Sequence, residues 1–182
     1  FATKEVIATL PDDGEAWVHV QAWADKPFTS DRFCDKDSDD DQIAFAKALA
    51  WAKHSILGGT TDVGGKSAAT LLSEIVGELE DIQSTEEWKN NAANGCEDTG
   101  IPSFTPLGDD LATARNLGGY VNAASIIGYR DPSFMDWLTD MVENEAVGKS
   151  NATLLTTVRR RPNNFGAWGM SSLLAAAAHL NR

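Results

Sequence analysis

The chain has 182 residues with 27 acidic and 15 basic side chains, which gives a formal net charge of −12 at pH 7. This length fits one compact domain, and the acidic excess excludes an ordinary nucleic-acid-binding protein, whose binding surface is basic. No stretch approaches the roughly 20 apolar residues of a membrane span, so the sequence predicts no membrane insertion.

The first half of the chain predicts three helices separated by polar segments. Acidic residues precede a helix over residues 15–23, and the acidic segment 25–41 is too poor in apolar residues to pack, so we expect a surface loop there. Alanines, Leu49 and Trp51 predict a largely buried helix over residues 42–53. Apolar residues at three-to-four spacing predict an amphipathic helix over residues 68–83.

The second half predicts three more helices. One runs from Asp109 and Asp110 through Ile127 and ends at Gly128, and one covers residues 133–146 behind an Asp131 cap. The last covers residues 164–179 and is rich in small and aliphatic side chains, whereas residues 154–158 are ambiguous between helix and strand. We therefore predict a single all-α domain over residues 1–182, with helices in antiparallel pairs that form a bundle or part of a toroid or solenoid.

Histidine, cysteine and acidic residues give little support for a metal or cofactor. His19, His54 and His179 lack ligand-like spacing, and the last two sit near helix ends, where a positive charge is favourable. Cys34 and Cys96 lie in polar surroundings that suit either a disulfide or free thiols.

The alternating carboxylates of residues 35–41 suggest a calcium loop. However, Asp40 occupies the sharp-turn glycine position and Ala46 the position of the closing glutamate. A solvated helix-capping cluster is therefore the favoured interpretation, and we predict neither a metal nor a cofactor.

The run from Arg159 to Gly169 carries the densest positive charge in the chain. Three arginines precede Pro162, and Asn163 and Asn164 follow at the entry of the last helix, whose amide dipoles favour anions. Such a run suits an acidic sugar, and Trp168 is a candidate for stacking on a sugar ring. The alternative is a basic turn followed by an asparagine N-cap.

Arg115, Asn116 and Tyr120 form a second group of candidates on the helix that ends at Gly128. Asn116 and Tyr120 are four residues apart and share a helix face. They could line a sugar groove opposite Asn164, or they could be a helix-interior amide and a core aromatic beside a surface arginine.

The segments 114–128, 131–138 and 161–180 together resemble the alginate lyase superfamily in order, spacing and residue type. The similarity rests on an Arg-Asn-Leu-x-x-Tyr helix and on an Arg-Pro-Asn-Asn-aromatic-Gly turn that opens an Ala-rich helix. It implies an (α/α) toroid, a secreted or extracytoplasmic location, and cleavage of a uronate polysaccharide such as alginate by β-elimination.

This resemblance implies roles for particular residues. Asn164 matches the family asparagine that neutralises the substrate carboxylate and is the candidate catalytic residue. Candidate substrate-binding residues are Asn163, Arg161, Arg115, Asn116, Tyr120 and Trp168.

Two departures from the family pattern affect the predicted chemistry. Phe165 stands where the best-known members carry a histidine base, and the family's catalytic tyrosine falls beyond Arg182. We therefore expect a domain that a further chain segment would complete at its C-terminus. The alternative function is a non-catalytic carbohydrate-binding or structural module on the same scaffold. A third possibility is a helical interaction domain with no affinity for sugar.

Overall fold

The computed structural model describes residues 3–29, 38–57, 63–84, 110–143, 154–160 and 164–181. Within these ranges the chain is all α-helical, as predicted, and contains no strand. The helices are α1 (Lys4–Ala8), α2 (Glu15–Asp25), α3 (Asp40–Leu57), α4 (Ala68–Ser84), α5 (Asp110–Ile127), α6 (Pro132–Glu143), α7 (Leu154–Arg160) and α8 (Asn164–His179).

The caps that the sequence suggests for α5 and α6 are present. The Oδ1 atom of Asp131 accepts a hydrogen bond from the backbone N–H of Ser133 at 2.8 Å, and Pro132 is the first helical residue. Gly128 follows α5 with a φ of 72°, a left-handed conformation that glycine adopts without a steric penalty. These local signals explain why the predicted helix bounds agree within a few residues.

Two short helices were not predicted. Helix α1 has five residues, and α7 turns the ambiguous 154–158 run into a seven-residue helix. A helix this short is marginal by itself and depends on tertiary packing. Such packing is present, because Lys53 of α3 donates a hydrogen bond to the carbonyl of Leu10 beyond α1, and Leu154 of α7 is buried in the core.

Helices α3, α5 and α8 lie side by side in one row, with α5 in the middle. Helices α5 and α8 are parallel, since Ser172 Oγ lies 2.7 Å from the Ala114 carbonyl and Ser125 Oγ lies 2.8 Å from His179 Nδ1. The close approach of α5 to both neighbours depends on two consecutive glycines. A Cβ on Gly118 would lie 3.0 Å from Ser172 Oγ, and one on Gly119 would lie 2.5 Å from an oxygen of the Asp41 side chain.

The remaining helices lie around this row. Helices α1 and α2 contact α3, whereas α4, α6 and α7 contact one another in that order and cover the row. The main hydrophobic core lies between α3, α5, α8 and these covering helices. A second, smaller core lies between α2, α3 and α4.

A buried lysine joins α2, α3 and α4. Lys47 is fully buried, and its Nζ donates hydrogen bonds to the Ala24 carbonyl at 2.8 Å and to Glu74 Oε2 at 2.7 Å. Lys66 Nζ reaches the same carboxylate oxygen at 3.0 Å. Burial lowers the pKa of Lys47, and these two acceptors compensate for part of the lost hydration.

Candidate functional site

An amide and an indole ring lie exposed at the start of α8. Asn164 is the first residue of the helix, and Trp168 lies one turn later with 48% of its surface exposed. Residues four apart share a helix face, so the two side chains lie on the same side of α8. Arg159 is exposed near the end of α7. We call Arg159, Asn164 and Trp168 the α8 entry surface.

The chemistry of this surface suits an anion with an apolar face. The sequence has no acidic residue after Glu145, so α7 and α8 contribute only positive or neutral side chains. The helix N-terminus adds partial positive charge, and an exposed indole can stack on a sugar ring. Arg161 and Asn163 lie outside the described residues, and the structure does not describe the side chain of Phe165.

Helix α5 lies against this part of α8. A Cβ on Gly169 would lie 3.8 Å from the Ala114 Cβ, so Arg115 and Trp168 are each one residue from the contact between the two helices. The Arg115 side chain is half-buried, and its Nη2 lies 3.4 Å from Asp39 Oδ1 at the start of α3. Arg115 therefore lies on the helix beside the α8 entry surface and also pairs with a carboxylate.

The structure places Asn116 and Tyr120 inside the protein. Both are 1% exposed, and the Tyr120 hydroxyl donates a hydrogen bond to Glu78 Oε1 of α4 at 3.1 Å. Burial and the carboxyl groups of Glu78, Asp40 and Asp41 raise the pKa of the Tyr120 phenol well above its usual value. The phenol therefore stays protonated at physiological pH. The role of Asn116 and Tyr120 as substrate contacts remains a prediction.

The prediction of a solvated acidic cluster over residues 35–41 is partly wrong. Asp40 is 0% exposed and Asp41 is 6% exposed. The Thr29 backbone N–H donates to Asp40 Oδ1 at 3.0 Å, and the Thr29 hydroxyl lies 3.1 Å from Oδ2. Sequence patterns do not predict this burial, because the residues that surround Asp40 and Asp41 are residues 29, 78, 119 and 120, which are not their neighbours in the sequence. We call Asp40, Asp41 and the partly exposed Glu78 of α4 the buried carboxyl cluster.

Two members of the buried carboxyl cluster titrate near neutral pH. Burial raises the pKa of Asp41 to about 7, although the Arg115 charge acts in the opposite direction. Burial also raises the pKa of Glu78 to about 7, against the hydrogen bond from Tyr120. Among the described residues, Asp41 Oδ1 has no hydrogen-bond partner, which favours the protonated form of this carboxyl group.

The prediction that His179 carries a positive charge is also wrong. His179 is 2% exposed and lies edge-on to Phe134, with ring centroids 5.9 Å apart. Burial and the nearby Arg130 lower its pKa, so the imidazole is neutral at physiological pH. The α8 C-terminus is bound instead by Arg130, whose Nη1 donates to the His179 carbonyl at 2.8 Å.

Three further sequence features concern metal binding, the two cysteines and membrane insertion. The described residues contain no group of three or more His, Cys, Asp or Glu side chains that could hold a metal ion. Cys34 and Cys96 lie outside those residues. In the part of the chain that the structure describes, no helix combines the length and apolar character needed to cross a membrane.

Comparison with protein-family models, with curated proteins and with solved structures gives no match to this chain. The resemblance to the alginate lyase superfamily therefore rests on the sequence motifs alone.

Proposed function

We propose that this chain is part of a secreted or extracytoplasmic polysaccharide lyase that binds an acidic uronate polymer, such as alginate, and cleaves it by β-elimination. The observation that carries the proposal is the pairing of exposed Asn164 with exposed Trp168 on one face of α8. An amide can neutralise a uronate carboxylate without donating a proton to it, while an indole binds the apolar face of the same sugar.

The helix arrangement supports a toroid segment as the scaffold. Helices α3, α5 and α8 form one row, which would be the inner layer of such a toroid. Helix α4, between α3 and α5 in the chain, and helices α6 and α7, between α5 and α8, would form its outer layer. A toroid repeats this pattern of inner and outer helices around a closed ring. In such a ring the parallel inner helices direct their N-termini, with their partial positive charge, toward the same end.

In this proposal each residue of the α8 entry surface has a defined task. Arg159 attracts the polymer, and Asn164 donates hydrogen bonds to the carboxylate so that the proton on the adjacent sugar carbon becomes more acidic. Trp168 orients the ring. The reaction also needs a base that removes this proton and an acid that protonates the leaving oxygen. We assign neither role to Tyr120, because its phenol is buried and hydrogen-bonded to Glu78.

A non-catalytic carbohydrate-binding module is the second candidate. The observation that favours it is the burial of Tyr120 and His179, which removes two potential proton-transfer side chains from any sugar surface. Both candidates require binding to a polyuronate, and only the lyase requires an unsaturated product.

Titration calorimetry with alginate oligosaccharides tests the shared binding step. Asn164→Ala and Trp168→Ala should each weaken binding about tenfold, which corresponds to roughly 1.4 kcal/mol. The control is Ser73→Ala, which alters an exposed side chain on the outer helix α4 and should bind as the parent does. Equal affinity of all four proteins, or no binding by the parent, would contradict the proposal.

A further inference from the structure

Arg115 of α5 lies against the start of α3, where three consecutive aspartates occur. Its Nη2 atom is 3.4 Å from Asp39 Oδ1. One turn further along α5, Gly119 lies so close to Asp41 that an added Cβ would be 2.5 Å from Asp41 Oδ2. Residues four apart share a helix face, so Arg115 and Gly119 face the same part of α3. The Arg115 charge accordingly acts on the Asp41 carboxyl group, which lies between the two helices.

The surroundings of Asp41 differ from those of the two aspartates before it. The Asp39 side chain is half-exposed, and the Asp40 carboxylate accepts hydrogen bonds from Thr29. Asp41 is 6% exposed, and among the described residues its Oδ1 atom has no hydrogen-bond partner. An ionised carboxylate in this place has lost hydration that hydrogen bonds do not fully replace. The Arg115 charge is the strongest influence that favours the ionised form.

The titratable groups around Asp41 come from three helices. They are Asp39 and Asp40 at the start of α3, Glu78 of α4, and Arg115 and Tyr120 of α5. Burial raises the pKa of Asp41 to about 7, the neighbouring aspartates act in the same direction, and Arg115 acts against them. The Tyr120 phenol stays protonated and donates its hydrogen bond to Glu78. Asp41 is thus a group beside Arg115 whose charge changes close to neutral pH.

The charge on Asp41 changes what the Arg115 guanidinium can bind. When Asp41 is ionised, the positive charge of Arg115 is balanced by two carboxylates, those of Asp39 and Asp41. When Asp41 is protonated, one of these negative charges is gone and the guanidinium attracts an external anion more strongly. The Arg115 side chain is 27% exposed, so such an anion can reach it from solvent.

We propose that Asp41 is a positioning residue for Arg115. Its carboxylate holds the guanidinium against α3, and its protonation releases the guanidinium to bind a carboxylate of the uronate polymer. This inference rests on the proposed function and adds a second carboxylate contact to it. Arg115 meets the start of α3, and its neighbour Ala114 meets Gly169 near the start of α8, so both contacts lie at one end of the helix row. A polymer with one carboxylate on each sugar can therefore reach Asn164 with one carboxylate and Arg115 with another.

Polymer binding and protonation of Asp41 then favour each other. An anion bound to Arg115 weakens the influence of its charge on Asp41, so the pKa of Asp41 is higher in the complex than in the free protein. The complex takes up a proton from about pH 7 upward, and affinity falls as the pH rises through this window. A pKa difference of one unit corresponds to a tenfold loss of affinity. Ordinary carboxyl groups titrate at about pH 4, so the polymer itself stays ionised throughout.

Titration calorimetry with alginate oligosaccharides at about pH 6 and about pH 8.5 tests the inference. The parent should bind about tenfold more weakly at the higher pH. Between these values, two buffers of different ionisation enthalpy should reveal proton uptake on binding. Asp41→Asn keeps a neutral side chain and should bind at both pH values with the affinity that the parent shows at about pH 6. Arg115→Gln should bind weakly at both pH values, so the two variants lose the pH dependence at opposite ends of the range.

Two further variants control for effects other than the contact with Arg115. Glu78→Gln removes the other carboxyl group of the cluster that titrates near neutral pH, and Glu80→Gln removes an exposed carboxylate from α4. Both should keep the pH dependence of the parent, and circular dichroism should show unchanged helicity in every variant at both pH values. Equal affinity of the parent at both pH values, or a pH dependence that survives in Asp41→Asn, would overturn the inference and leave the proposed function intact. A parent that binds at neither pH would contradict the proposed function and this inference together.

Discussion

The hydroxyl group of Tyr120 donates a hydrogen bond of 3.1 Å to Glu78 Oε1, which joins α5 to α4 beneath the start of α3. Asp40 and Asp41 contribute two further carboxyl groups to this buried junction. The junction therefore brings together three carboxyl groups whose negative charges water screens poorly once they ionise. Its effect on stability depends on pH.

We predict that Glu78→Gln stabilises the protein at pH 8 and has little effect near pH 4.5. The pKa of Glu78 is about 7 in the folded protein against an ordinary value of 4.5. The folded state thus keeps a proton that the unfolded chain has lost, and wild-type stability falls as pH rises through this window. Glutamine keeps an oxygen that can accept the Tyr120 hydrogen bond.

Urea denaturation at a series of pH values measures this effect. One pKa unit corresponds to about 1.4 kcal/mol, and partial exposure of Glu78 reduces the expected gain at pH 8 to roughly 1 kcal/mol. Asp41→Asn should change stability in the same direction over the same window. Glu80→Gln, at an exposed position on the same helix, is the control. A Glu78→Gln gain that is the same at pH 4.5 and at pH 8 would exclude the titration.

We predict that Gly119→Ala destabilises the protein by about 1–3 kcal/mol. An added Cβ would lie 2.7 Å from the backbone oxygen and 2.9 Å from the carbonyl carbon of Asp41, so α3 and α5 must separate. Gly77→Ala is the matched control, since a Cβ there meets nothing within 4 Å in the exposed part of α4. The control should gain roughly 0.5–1 kcal/mol from helix propensity. Urea denaturation should give opposite signs for the two variants.

We predict that Lys47→Met costs about 1–3 kcal/mol in the free energy of unfolding. Methionine fills a similar volume but leaves the Ala24 carbonyl without the donor that Lys47 Nζ supplies. Glu74 keeps Lys66 as a partner, so the cost stays below that of an isolated buried charge. Lys66→Met removes the more exposed cation and should cost less than about 1 kcal/mol. Thermal and urea denaturation measure both losses. Equal losses for Lys47→Met and Lys66→Met would show that burial of Lys47 does not matter.

The sequence predicts the longer helices well because their signals are local. Asp131 caps α6, Gly128 ends α5, and apolar spacing marks α4. The short helices α1 and α7 depend on tertiary contacts and carry no comparable signal.

The candidate site is harder to predict from the sequence, because it too depends on tertiary contacts. Spacing correctly places Asn116 and Tyr120 on one helix face, but it cannot show that this face points into the core. Burial of Asp40 and Asp41 follows from contacts between residues far apart in sequence. Exposure of Trp168 likewise depends on how α8 packs, whereas the positive charge around it is visible in the sequence itself.

Formation of an unsaturated uronate product tests the proposed lyase activity most directly. The full-length protein is incubated with alginate, glucuronan and related polyuronates while ultraviolet absorbance and polymer length are followed. With at least one of these polymers, the parent should generate the absorbance of the new double bond as the polymer shortens, and Asn164→Ala should lower the rate by about tenfold or more. Binding without any absorbance change or shortening, for every polymer, would contradict the lyase and leave the carbohydrate-binding module as the function.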